Sequence, residues 1–265
     1  MEMKEVLSNV KTWALEVGKI QLEKLNGDIK YSSKSTKVDM VTEVDILSEK
    51  IIIERIRENY PDHSILSEEK GKLKSKSPYT WVVDPLDGTN NYLHGFPIFC
   101  ISIALKYLEE TVLGVVYVPK LNEMFYSIKG EGAFLNEEKI EVAQKKELQE
   151  CILATGFPYD KRISEHNNVN LFSNIVRDLQ GIRRTGSAAF DLCSVACGRL
   201  DGYWELKLSL WDLAAGELIV EEAGGKVITS KIKKENGEDG INIIAGNEKV
   251  VNLVYERVNS VHKYF

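Results

Sequence analysis

Asp84 and Asp87 stand three residues apart in "VVDPLDGTNNYLHGFP" (82–97), directly behind an apolar run. Like charges at that spacing repel, and a buried carboxylate costs several kcal/mol unless something pairs with it. Three other sites repeat the pattern of acid beside an apolar stretch. Glu68 and Glu69 follow "SIL", Asp212 follows "LSLW" and opens a helix, and Asp45 lies in the first turn of a helix after "DMVTE". Carboxylates that converge are tolerable when cations sit among them, and oxygen donors without His or Cys favour Mg2+ or Mn2+ over zinc. None of the four histidines falls inside a carboxylate cluster. Two cations roughly 4 Å apart can clamp the attacking and leaving oxygens of a phosphoryl transfer, with Asp84 as the natural bridge.

Gly88 and Thr89 acquire a role beside such a site. "DGTNNYLHG" reads as a turn and a short helix ending near Gly95. The N–H groups at its start suit an anion, and the Thr89 hydroxyl could orient a water with a carboxylate as proton acceptor. Taken singly, Asp45 is a favourable first-turn charge and Asp212 an N-cap. A turn alone does not require both aspartates of "DPLDGT".

These residues need elements to hold them. Val6, Val10, Ala14, Val17 and Ile20 mark a first amphipathic helix, and Val44, Leu47, Ile51 and Ile56 a second that ends near Pro61. "LNGDIKYSSKSTKVD" between them reads as a loop with a basic tip. "SILSE" and "TWVVD" read as strands, the second covered on both faces. "FCISIALKYL", "TVLGVVYV" and "EMFYSI" read as consecutive antiparallel strands, and "GEGAFLNEEKI" as a hairpin. After about residue 150 the pattern changes. "ILATGFP", "LDGYWEL" and "INIIAG" read as strands and "GIRRTG" as a strand or turn. "EHNNVNLFSNIVRDL", "SAAFDLCSVACG", "WDLAAGELIVEEAGG" and "NEKVVNLVYERV" read as helices, the third ended by Gly224 and Gly225, the last capped by Asn247. The fold expected is α/β or α+β with mixed sheets, one unit over 1–265 with an N-terminal α+β half (about 1–150) and a C-terminal α/β half (about 151–265).

The chain has 265 residues and a formal net charge of -6, so it carries no global basic field for nucleic acid. Cys100, Cys151, Cys193 and Cys197 have no CxxC spacing and read as buried free thiols. No apolar run is long enough to span a bilayer and no signal-peptide core opens the chain, so a soluble cytoplasmic protein is expected.

"WVVDPLDGTNNYLHGFP" and "WDLAAGELIVEEAGG" resemble the two signatures of the inositol monophosphatase family. "ILSEE", "KVDMVTEVD", "RRTGSAAFDLC" and "GYWELKLSLWD" fit as well, in order and over essentially the whole chain. The resemblance implies a layered αβαβα sugar-phosphatase fold, usually a homodimer, with two or three Mg2+ ions that Mn2+ can replace. Glu68, Asp84 and the Leu86 carbonyl would hold the first ion, and Asp84, Asp87 and Asp212 the second. A third, weaker ion would use Glu68 and water. Thr89 paired with Asp45 would activate the attacking water, and the N–H groups of Gly88 and Thr89 would hold the phosphate. Asp87 and Asp212 also border the substrate. Glu205 would bind sugar or inositol hydroxyls, Gly186, Ser187 and Ala188 would line that pocket, and Lys34 would lie in a mobile loop closing over the metals. Departures are small: Asn90, Asn91 and Tyr92 replace Thr-Asn-Phe, Ser67 replaces a Gly before Glu68, and "SSKSTKVD" has Ser and Lys where relatives often carry Pro.

The implied activity is Mg2+-dependent hydrolysis of a small polyol or sugar phosphate such as myo-inositol 1-phosphate, without a covalent intermediate and with lithium inhibition. Fructose 1,6-bisphosphate, NADP and 3'-phosphoadenosine 5'-phosphate are alternative substrates on the same fold. Arg183, Arg184 and Lys207 would either meet a second phosphate or be solvated surface charge. The spacing DxxD argues against an aspartyl-phosphate enzyme of the haloacid dehalogenase type, which uses DxD. A non-enzymatic divalent-ion-binding interaction protein would be expected to lack Thr89, Asp45 or Glu68, and all are present. No GxxxxGK[ST] or GxGxxG occurs. The expected partner is a small phosphate ester, with neither nucleic acid nor membrane.

Overall fold

The computed structural model describes residues 2–25, 27–34, 38–234, 237–261 and 264–265. The chain starts with α1 (Met3–Lys24), which buries Val6, Val10, Trp13, Ala14 and Val17 along one stripe. Strands β1 (Tyr31–Ser33) and β2 (Met40–Thr42) pair antiparallel, and α2 (Glu43–Asn59) follows. Next come β3 (Ser64–Ser67), β4 (Gly71–Leu73), β5 (Tyr79–Asp87) and the short α3 (Thr89–Leu93). β6 (Cys100–Tyr107), β7 (Glu110–Val118) and β8 (Glu123–Ile128) are the antiparallel run expected from their apolar patterns. β9 (Ala133–Leu135) and β10 (Glu138–Ile140) form the expected hairpin. Asn136 (φ 47°) and Glu137 (φ 71°) make its two-residue turn, both left-handed as a primed turn requires.

The second half holds β11 (Ile152–Thr155), α4 (Val169–Ile175) with a 3-10 turn to Asp178, β12 (Gly181–Arg183) and α5 (Ala188–Ala196). It continues with β13 (Gly202–Leu208), α6 (Leu210–Glu222), β14 (Lys226–Lys233), β15 (Asp239–Gly246) and α7 (Glu248–Val261). Asn247 caps α7 by accepting from the Val250 N–H at 3.0 Å.

Among the described residues one sheet has eight strands in the order β10-β9-β8-β7-β6-β5-β3-β4, and a second has five in the order β12-β11-β13-β15-β14. β3 and β5 run parallel, as do β11 with β12 and with β13; the other pairs are antiparallel. Helices α1 and α2 pack on one face of the large sheet through Val10, Trp13, Ile52 and Ile56 against Trp81, Ile103 and Val115. Helices α5 and α6 lie between the sheets, where Phe190, Leu213 and Ile219 meet Val82 and Val116 on one side and Tyr203 and Ile243 on the other. Covered on both sides, α6 is apolar nearly all round. Leu171, Ile175, Val250 and Val254 of α4 and α7 close the outer face of the small sheet over Leu153, Trp204 and Ile244. The result is the expected αβαβα stack.

Strands β1, β2, β4 and β14 do not figure in the sequence reading. The loop 25–39 carries β1, whose three residues are all exposed and so show no apolar alternation. β4 is a three-residue edge strand, too short to leave a pattern. β14 is the edge of the small sheet, and its lysines 226, 231 and 233 mask a period of two behind charge. Ser35, Thr36 and Lys37 of the basic loop tip lie outside the described residues. All four cysteines are free thiols, three buried and Cys197 half-buried. Among the described residues no helix is long and apolar enough to cross a membrane.

Candidate active site

The parallel pairing of β3 and β5 sets Ser67 opposite Val83, and the Glu68 N–H donates to the Val83 carbonyl at 3.2 Å. Glu68 and Asp84 therefore leave neighbouring strand tips side by side, where open sheets place their ligand sites. Between Asp84 and Asp87 the ladder to β6 slips. Asp84 faces Ser102 and Asp87 faces Cys100, so β5 carries one extra residue. Pro85 stands in that bulge, where its missing N–H breaks no ladder bond. The Leu86 N–H donates to Asp84 Oδ1 (3.0 Å), and Gln21 Nε2 from α1 donates to the Pro85 carbonyl (2.8 Å). The bulge is thus pinned from both sides.

Each remaining carboxylate is tied to the start of a helix. Asp87 Oδ2 accepts from Ser187 Oγ and the Ala189 N–H, both at 2.7 Å, at the head of α5. Asp212 accepts from the Ser209 N–H (2.7 Å), and Asp45 from the Thr42 N–H (2.9 Å). Both are third residues of capping boxes, so Ser209, and not Asp212, is the N-cap of α6. The other Asp45 oxygen accepts from the Thr89 hydroxyl at 2.8 Å, and that hydroxyl also lies 3.1 Å from the Leu86 carbonyl. Gly88 connects the bulge to α3 with φ +96°, and a Cβ there would stand 2.9 Å from the Ile98 carbonyl. Only glycine fits.

Burial, and then repulsion from Glu68, Asp87 and Asp212, holds Asp84 well above the usual carboxylate range. Burial with the charges of Asp87 and Glu68 does the same to Asp212. Burial pushes Asp87 up to about 6 against its bonds from Ser187 and Ala189. Glu68 is raised by burial although the Lys34 ammonium bonds it at 2.7 Å; Lys34 also bonds Glu69. Burial alone would lower the Lys34 ammonium, but the two glutamates outweigh it and hold the ammonium above its usual range. Among the described residues no three carboxylate, imidazole or thiol groups close on one point as they stand. The donor set nevertheless fits a hard divalent ion: it offers oxygens alone, desolvated, and short of positive charge.

These groups floor a cavity of about 600 Å³. Glu68 lines it and Glu69 does not; Lys34, Gly88, Thr89, Gly186, Ser187 and Ala188 also line it. Glu205 lines it too and accepts from the Tyr203 hydroxyl at 2.5 Å. Burial pushes Glu205 up to about 7. Arg184 lines the cavity. Arg183 does not line it and is exposed, donating to the Ile182 carbonyl (3.0 Å), as the surface-charge reading expects; Lys207 is buried, which that reading does not expect.

The structure brings every sequence-predicted site residue to this cavity or, for Asp45, into direct contact with Thr89. It also shows two that the sequence reading missed, Gly156 and Asp160, and gives Lys207 a partner that reading did not expect. A Cβ on Gly156 would stand 2.0 Å from the Glu205 carboxylate, so Glu205 fits only because residue 156 is glycine. Asp160 and Lys207 pair at 2.7 Å beside the cavity. "TGFP" hinted at a glycine of consequence; nothing local announced the pair.

The chain matches the inositol monophosphatase family over residues 2–262. It is 46% identical over 221 residues to a Haemophilus influenzae protein named Nus factor SuhB, covering 83% of this chain and 82% of that one. It is 47% identical over 190 residues to a Synechocystis inositol-1-monophosphatase, covering 71% and 66%. Among solved structures it resembles the suhB extragenic suppressor protein of Bartonella henselae (TM-score 0.87, 35% identity, 96% and 98% covered). It also resembles an inositol monophosphatase from Anabaena (TM-score 0.86, 38% identity, 98% and 97% covered).

Proposed function

The chain belongs to the inositol monophosphatase family of phosphatases, and from that premise we propose that it hydrolyses a small polyol phosphate, myo-inositol 1-phosphate foremost, in a Mg2+-dependent reaction. One observation carries the reading. Four carboxylates, buried Asp84 and half-buried Glu68, Asp87 and Asp212, floor one cavity beside a hydroxyl–carboxylate pair, Thr89 and Asp45. Glu68, Asp84, the Leu86 carbonyl, Asp87 and Asp212 would hold two ions, with a third shared by Glu68 and Mn2+ as a substitute. Bound divalent ions supply electrophilic stabilisation of the phosphoryl and leaving oxygens.

The chain's own groups do the rest. Asp45, raised by burial, accepts the Thr89 hydroxyl proton in a hydrogen bond. That leaves the Thr89 oxygen lone pairs free to orient a water and Asp45 to receive a proton through it. The N–H groups of Gly88 and Thr89 receive the phosphate, and no covalent intermediate forms. Glu205 and the segment Gly186, Ser187 and Ala188 recognise the alcohol hydroxyls. Lys34 releases its glutamates as ions enter.

We read the chain as one folded unit of two halves, a cytoplasmic homodimer inhibited by lithium. Phosphate release with Mg2+ across inositol 1-phosphate, fructose 1,6-bisphosphate, NADP and 3'-phosphoadenosine 5'-phosphate tests the substrate. Inositol 1-phosphate should be turned over fastest. A phosphorylated aspartate trapped during turnover would overturn the mechanism.

A further inference from the structure

We propose that Lys207 is a positioning residue: it locks the segment 157–164 as the wall that recognises the alcohol part of the substrate. The inference rests on the phosphatase reading above for its substrate and on the following geometry for the lock.

Lys207 lies where the β13–β15 register slips between Glu205 and Leu208. Its φ is +62°, a left-handed conformation that residues with a Cβ rarely adopt. A lysine is held there with its side chain 2% exposed. The ammonium donates to Asp160 Oδ2 (2.7 Å) and to Ser164 Oγ (2.6 Å). Those two acceptors are the ends of one turn, in which the Ser164 N–H donates to the Asp160 carbonyl at 3.1 Å. The other Asp160 oxygen is buried and has no hydrogen-bond partner. Removing the ammonium would therefore leave the half-buried Asp160 carboxylate without its cation, the costly way to break an ion pair. Unusual backbone conformation beside an active site, over-determined by its surroundings, points to a positional role.

The base of the same segment is tied separately. Asn168 donates to Thr155 Oγ1 (2.8 Å) and to the Gly156 carbonyl (2.5 Å) and accepts from Trp204 Nε1 (2.8 Å). Between base and lock, Phe157, Pro158, Tyr159 and Ile163 face the cavity. Tyr159 and Ile163 are 50% and 80% exposed, and so present apolar surface to whatever fills it. The cavity lining joins the acids Glu68, Asp84, Asp87 and Asp212 to the apolar side chains of this segment, with Glu205 and Arg184 for hydroxyls. The wall therefore suits a cyclic polyol, whose ring faces are apolar and whose rim is hydroxylated.

Lys161 and Arg162 are exposed within the segment, so trypsin reports its mobility independently of activity. K207M and D160N should each be nicked there about tenfold faster than wild type, and K207R should restore protection. With inositol 1-phosphate, both should raise KM about tenfold with kcat little changed. The Ki of inorganic phosphate, which has no alcohol part, should stay the same. Unchanged nicking in both variants overturns the lock. A KM that stays at the wild-type value, or a phosphate Ki that rises in step with it, overturns the recognition role. If wild type turns over no phosphate ester, the functional reading fails, while nicking still decides the lock.

Discussion

The floor of the cavity and its wall are built on opposite plans. On the floor, three carboxylates are fixed by a backbone group two or three residues away, Asp84 by the Leu86 N–H, Asp45 by Thr42 and Asp212 by Ser209, while Asp87 is held by the start of α5 and Glu68 by Lys34. On the wall, Glu205 depends on the absence of a side chain at Gly156, and the segment 157–164 depends on Lys207, more than forty residues away. The floor concentrates negative charge that burial alone would neutralise. The wall is mostly apolar and holds its one buried pair for geometry. Chemistry common to phosphate esters sits on the side where Asp84, Asp45 and Asp212 are fixed within three residues of themselves, although Asp87 is held across the chain by Ser187 and Ala189. Recognition of a particular alcohol sits on the side assembled at long range.

If that division holds, the largest effects belong to the floor. Asp87→Asn and Asp212→Asn should each lower kcat by about three orders of magnitude. Each should also weaken Mg2+ binding measured calorimetrically, because each removes a charge that an ion neutralises. Near-normal turnover in both would break the assignment of the floor as the metal site. On the wall, Gly156→Ala puts a methyl within 2.1 Å of all three Glu205 carboxylate atoms. Displacement of Glu205 by about 1 Å should lower kcat/KM roughly 10²-fold. The Ki of inorganic phosphate should be unchanged; a parallel rise would show that floor and wall are one mechanical unit.

What the sequence made legible follows the same division. The signals for Glu68, Asp84, Asp87, Asp212 and Asp45 lie within a few residues of each, as apolar strands ending in acids and as capping boxes. Capping was visible, though its register was off by three residues: Ser209 rather than Asp212 opens the box of α6. The wall left no comparable trace. Lys207 looks like any lysine in "ELKLS", and its burial exists only because Asp160 and Ser164 are folded over it. β14 was missed for a related reason: edge strands carry charge against unwanted pairing, and that charge erases the pattern that reveals inner strands.

The wall also makes a prediction on pH. Glu205 has its folded pKa raised from 4.5 to about 7 by burial. A carboxyl raised on folding binds more protons in the folded state, so stability is full below about 4.5 and declines as pH rises through about 7. Between pH 5 and 8 this group alone should cost on the order of 3 kcal/mol. Glu205→Gln should flatten that part of the metal-free stability profile, measured by urea unfolding at several pH values. An identical slope in the variant would show that Glu205 is not held neutral. The floor carboxylates slope the same way, so added Mg2+ should raise Tm more at pH 8 than at pH 5.

The smallest effect expected is the sharpest test of local encoding. Thr42→Ala removes the hydroxyl that accepts from the Val44 and Asp45 N–H groups and donates to Asp45 Oδ2. Loss of an N-cap side chain should cost about 1 kcal/mol of stability. Asp45 keeps two bonds, one from the residue 42 N–H and one from the Thr89 hydroxyl, so its carboxylate should stay in place. Activity should then fall only a few-fold, in contrast to Gly156→Ala, where the added methyl must displace the Glu205 carboxylate itself. Loss of activity in Thr42→Ala as deep as in Asp87→Asn would mean that the Asp45–Thr89 pair is held by that single hydroxyl. The floor would then be no more redundant than the wall.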